Sequence, residues 1–84
     1  MSKDVFKAVR AIIVEHLCVP MADVTLHAQL EEDLGADSLD LVTIALSCEE
    51  AFAIPDISDT ESEQLVTVGD LVELVKRKLE STDA

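Results

Sequence analysis

Aromatic side chains are nearly absent. Phe6 and Phe52 are the two present, with no tryptophan or tyrosine, so any core must be aliphatic. Cysteine is equally scarce. Cys18 and Cys48 lack CxxC spacing, which argues against a disulfide framework or a closely paired metal site. Both read as core thiols in a reducing compartment. Long apolar runs are missing too, the fullest being stretches such as AIIV. That is too short for a membrane span or a signal-peptide core, so a cytoplasmic protein without membrane insertion is expected. The largest gap is in positive charge. No lysine or arginine occurs from Ala11 through Val75. The middle of the chain is an unbroken negative field, which repels nucleic acid and anionic membranes and favours basic protein partners.

What is present suffices for one folded domain. The chain has 84 residues, 49% hydrophobic, with mean hydropathy +0.28 and net charge −12. It is too apolar to be intrinsically disordered. Basic residues fall in two terminal groups, Lys3, Lys7 and Arg10, then Lys76, Arg77 and Lys78.

Hydrophobic spacing predicts an all-α fold, a small four-helix bundle with three longer helices and a short third one. The first helix opens with Ser2 as cap and ends near Leu17 before Pro20, with Phe6, Val9, Ile13 and Leu17 at helical spacing. The second spans Ser38 to Phe52. The fourth follows the cap Thr67 and runs to about Leu79, with Lys76, Arg77 and Lys78 in its last turn. Between the first two lies a long loop, Val19 to Asp37, with Val24, Leu26, Leu30 and Leu34 as expected anchors to the core. A connection that long is often functional. The third helix is expected over Thr60 to Leu65, capped by Ser58 or Asp59, and which triplet leads it (Ile54-Pro55-Asp56 or Ile57-Ser58-Asp59) stays open. Ser81 to Ala84 are expected to fray.

The second helix carries more apolar surface than a core requires. Leu41, Ile44, Ala45, Cys48 and Phe52 form one stripe on the helical wheel. Leu39, Val42 and Leu46 form a second, flanked by Glu49 and Glu50. Apolar anchors rimmed by carboxylates read as a protein-docking face. The competing reading is a central helix buried on both sides.

Ser38 stands at the start of that helix. Asp37 suits the N-cap, and Asp40 three residues on completes a capping box. Three readings apply to the serine. As an ordinary N-terminal helix residue it needs no partner. As a nucleophile it lacks an adjacent oriented base, since the histidines are His16 and His27 and GADSL is not a G-x-S-x-G elbow. As a hydroxyl modified by another enzyme, it needs only exposure and a docking surface beside it. No catalytic residue is therefore assigned. No calcium loop is present, and His16, Cys18, His27 and Cys48 make a poor metal set, so no specific metal site is expected. His16 reads as a solvated helix residue.

The nonapeptide EDLGADSLD, residues 32–40, closely resembles the prosthetic-group attachment motif of acyl carrier proteins. VRAIIVEHLCV, EEAF, IPD and TVGDLVELV extend the resemblance over nearly the whole chain. It implies an acyl carrier domain over residues 1–80. It implies no enzymatic activity and a 4′-phosphopantetheine arm on Ser38, donated from coenzyme A by a phosphopantetheinyl transferase. The arm's thiol would hold acyl groups for fatty-acid or specialised lipid biosynthesis. Asp37, Leu39, Val42, Leu46, Glu49 and Glu50 match the family's partner-recognition helix, which meets enzymes with basic patches. The expected state is a monomer. Small residues at Ala45 and Cys48 are expected to leave room for an acyl chain. Thr43, Ala51 and Leu41 depart from the usual pattern and lower the charge of this helix. The alternatives are a peptidyl carrier of peptide synthesis and an unmodified acidic adaptor.

Overall fold

The computed structural model describes residues 2–82, with side chains described from Val5 to Glu80. Helix α1 spans Ser2–Leu17, α2 Ser38–Phe52, α3 Asp59–Glu63 and α4 Val68–Thr82. A single 3-10 turn, Met21–Asp23, interrupts the long loop. Among the described residues there is no strand, only an isolated antiparallel bridge between Gln29 and Thr67. The all-α bundle read from the sequence is the fold observed.

Helix α1 packs against both α2 and α4, and α2 also meets α3 and α4. At the centre, Val9 and Ile13 of α1 meet Ile44 and Cys48 of α2 and Val68, Leu71 and Val75 of α4, all fully buried. Each large aliphatic chain buried there contributes about 1.5–3 kcal/mol. The core is aliphatic, as two phenylalanines require, and both are only partly buried at its edge.

Caps define the helix starts. At α2, Asp40 N–H donates to Asp37 Oδ1 at 2.8 Å and Asp37 N–H donates to Asp40 Oδ2 at 3.1 Å. At α3 the same exchange joins Ser58 and Glu61, so Ile57-Ser58-Asp59 leads that helix. The helix ends by Glu63 rather than Leu65, though Leu65 is buried. At α4, Asp70 N–H donates to Thr67 Oγ1, and Thr67 N–H donates back to Asp70 Oδ2 at 3.0 Å. The cap expected at Ser2 rests on a side chain outside the described residues.

Helix α4 reaches Thr82 instead of ending at Leu79, so Lys76, Arg77 and Lys78 precede its last turn. The expected tail therefore begins within the helix, and positions 83 and 84 lie outside the described residues. Lys78 has a tertiary role instead. Its Nζ donates to the Asp56 carbonyl and to Glu61 Oε1, both at 3.0 Å, fastening α3 and its leading loop to α4.

The long loop is pinned by three of the four expected anchors and by two alanines. Val24, Leu30 and Leu34 are buried as expected, whereas Leu26 is 47% exposed. Ala28 and Ala36 are buried in addition. Main-chain bonds explain the exchange. Val68 N–H donates to the Ala28 carbonyl and Gly69 N–H to the Leu26 carbonyl, both at 2.9 Å, while Leu30 N–H donates to the Val66 carbonyl at 2.8 Å. The loop thus uses the Leu26 backbone, not its side chain, to cover the open N-terminal amides of α4. A Cβ on Gly69 would lie 2.9 Å from the Leu26 oxygen, so this close approach requires glycine.

Cys48 is buried as expected, but Cys18 is exposed. Cys18 follows α1 in the left-handed region, φ 58°, where the chain turns away from the helix and its side chain cannot fold back on the core.

Candidate functional site

The site is built on the first turn of α2. Its approach is set by the loop. Asp33, Leu34, Gly35 and Ala36 donate back to carbonyls of Gln29, Gln29, Glu31 and Leu30, which winds the chain tightly. Gly35, at φ 77°, then turns it toward Asp37. The Asp37–Asp40 box fixes where the helix begins. Ser38 follows as the first helical residue and is exposed. Among the described residues its hydroxyl makes no side-chain hydrogen bond.

The Asp40 carboxyl sits below the usual carboxylate range, chiefly because it accepts the Asp37 backbone N–H. Desolvation, the next-largest influence, opposes this, and His16 lowers it further by smaller amounts. Asp40 Oδ1 meets His16 Nε2 at 3.2 Å, so His16 is not a merely solvated residue but a bridge from α1 to α2.

The two apolar stripes of α2 meet different fates. Leu41, Ile44, Ala45 and Cys48 are buried, and Phe52 is partly so. Leu39 is 73% exposed and Leu46 52%, with Val42 half-buried between them. The reading of a helix buried on both sides is thereby overturned. Glu50 is exposed. Glu49 is half-buried, and its Oε2 accepts the Ile57 N–H at 2.7 Å, tying the loop before α3 to α2. Thr43 turns its hydroxyl inward to the Leu39 carbonyl at 3.0 Å.

A cleft of about 370 Å³ opens beside Ser38, lined by Leu41, Val42, Glu31 and the α3 residues Asp59, Ser62 and Glu63. Ala45 and Cys48, expected to provide room, do not line it. Burial and the adjacent Glu49 charge push the Cys48 thiol up to about 12, so it stays protonated and unreactive. Among the described residues no cluster of three or more potential ligands forms a metal site, and no helix is long and apolar enough to cross a membrane.

These residues suit a covalently attached anionic ester at Ser38. The hydroxyl is accessible, and the amides and dipole at a helix N-terminus favour negative charge. An attached chain would lie at the mouth of the cleft. Among the described residues no side-chain base hydrogen-bonds the Ser38 hydroxyl, which fits modification by a separate enzyme.

Sequence reasoning missed His16 as a partner of Asp40, and it missed the tie between Glu49 and Ile57. Neither leaves a local signal, because both join residues from different elements.

A family profile described as "Phosphopantetheine attachment site" matches residues 7–75. The acyl carrier protein of Helicobacter acinonychis (strain Sheeba) is 45% identical over 71 residues, covering 84% of this chain and 90% of that protein. The acyl carrier protein of Thermotoga maritima is 42% identical over 77 residues, 92% of this chain and 94% of that protein. That of Campylobacter curvus is 41% identical over 73 residues, 87% and 94% respectively.

Proposed function

The chain belongs to the acyl carrier protein family, carriers with a covalently attached 4′-phosphopantetheine, and we propose that Ser38 is where that group is attached. When attached, the arm supplies a terminal thiol that holds an acyl group as a thioester. The protein's own residues present, orient and deliver; they perform no bond chemistry. The observation carrying the assignment is the exposed hydroxyl of Ser38, in the first turn of a helix started by the Asp37–Asp40 box.

Delivery runs through the ridge on α2. Leu39 and Leu46 are exposed apolar anchors, with Val42 between them, and acidic groups at the rim. Asp37 and Glu50 supply exposed carboxylates. Glu49 contributes charge at the same edge, although one of its oxygens is held by the Ile57 amide. The partners are a phosphopantetheinyl transferase and enzymes of fatty-acid or specialised lipid biosynthesis with basic docking patches. Charge complementarity of this kind raises the encounter rate and fixes the register. Thr43 and Ala51 add no charge to the helix, which favours a specialised carrier dedicated to a lipid or secondary metabolite. The protein acts as a monomer in the cytoplasm.

The test is one mass measurement. Incubated with coenzyme A and a phosphopantetheinyl transferase, the protein gains one arm, and Ser38→Ala gains none. An arm on the Ser38→Ala variant, or none on the parent protein, overturns the assignment.

A further inference from the structure

The α2 cap has a connection that arm attachment by itself does not call for. Asp40 Oδ2 accepts the Asp37 N–H inside the capping box, while Asp40 Oδ1 faces His16 Nε2 at 3.2 Å. One carboxylate therefore joins the start of α2 to the last turn of α1. Ser38 lies between Asp37 and Asp40, so the bridge holds the turn that bears the serine. His16 is also the basic residue in the last turn of α1, where a positive charge suits the helix dipole.

We propose that His16 is a positioning residue for Ser38, holding the serine-bearing turn against α1 through Asp40, so that efficient attachment of the arm depends on the His16–Asp40 bridge. This rests on Ser38 being the attachment point.

The charged groups around His16 are few. Asp40 faces it from α2, and Asp37 is coupled to Asp40 through the cap. The cleft beside it is lined by Ile12, Glu15 and Ser47, which makes Glu15 the charge from its own helix. These three are carboxylates, so a positive imidazole is attracted on each side. The contact joins the last turn of α1 to the first turn of α2, so without the His16 ring the serine-bearing turn is held less firmly. The His16 and Asp40 side chains are 30% and 32% exposed, so the expected effect is modest, about two- to fivefold in apparent affinity.

The experiment measures KM and kcat of a phosphopantetheinyl transferase for the wild-type protein, His16→Lys, His16→Gln and His16→Ala. The expected KM of His16→Ala is about two- to fivefold above wild type, while kcat changes little because the transferase supplies the chemistry. His16→Lys, which can still reach Asp40, is expected to stay near wild type, with His16→Gln between the two. In parallel, the amide resonances of Ser38 and Leu39 should shift in His16→Ala and stay near their wild-type positions in His16→Lys. An unchanged KM in His16→Ala, or Ser38 and Leu39 resonances that do not move in it, overturns the role of His16. Arm attachment judged by mass, with Ser38→Ala as control, separately decides the attachment point, so the two failures are distinguishable.

Discussion

Helices α2 and α4 are each 15 residues long and start with the same kind of cap, yet they treat their leucines differently. In α4, Leu71, Val72, Leu74 and Val75 are all buried, and Leu79 is partly so. In α2, Leu41 is buried while Leu39 and Leu46 stand in solvent. Helix α4 is a structural element. Helix α2 is a structural element with an additional surface, and the surplus apolar side chains mark that surface. The useful quantity is not how hydrophobic a helix is, but how much apolar surface remains after the core has been satisfied.

Substitutions on the two helices sharpen the contrast. Leu71→Ala is expected to lower stability by about 3 kcal/mol, measured by urea unfolding, because it leaves a cavity in a sealed core. Leu46→Ala is expected to weaken partner binding about tenfold in a titration against a transferase, yet to change stability by no more than about 0.5 kcal/mol. Equal losses of stability at both positions would erase the distinction. At the start of α4, Gly69→Ala is expected to cost about 1–2 kcal/mol despite the higher helix propensity of alanine, since its methyl group meets the Leu26 carbonyl. At the far end of the loop that feeds α2, Cys18→Gly is expected to raise stability by about 1 kcal/mol by relieving a left-handed backbone.

The smallest effect concerns acid. Asp40 of α2 and Asp70 of α4 are both held below the ordinary carboxylate range, first by backbone hydrogen bonds from their cap partners. A carboxylate depressed in the folded state stabilises fully above its unfolded value. That contribution disappears as pH falls through the folded value. The urea midpoint should therefore drop below about pH 4, and Asp40→Asn or Asp70→Asn should flatten the drop.

The features legible in the sequence share a short range. The Asp37–Asp40 box and the Thr67 cap lie at the starts of their helices, and the stripes of α2 and α4 repeat every turn, so local pattern determines them. The serine and its exposed neighbours followed from those same patterns. The loop was harder. Leu26 and Leu30 look alike in sequence, and without a helical period nothing orients them. Which one is buried depends on the Val66–Gly69 backbone arriving from the far end of the chain. Ala28 and Ala36 gave no signal because small residues are unremarkable in either setting. The contacts of His16, Glu49 and Lys78 each join separate elements, so they exist only once the bundle has assembled.

The contrast between the two cysteines supplies a simple assay. Cys18 is open to reagent, whereas Cys48 is sealed and held as a thiol. Under native conditions a thiol-specific dye should report one rapid equivalent from the bare polypeptide. It should report two once the prosthetic arm is in place, and one again when that arm is charged with cargo. The protein's occupancy can then be followed in a cuvette, without separating its forms.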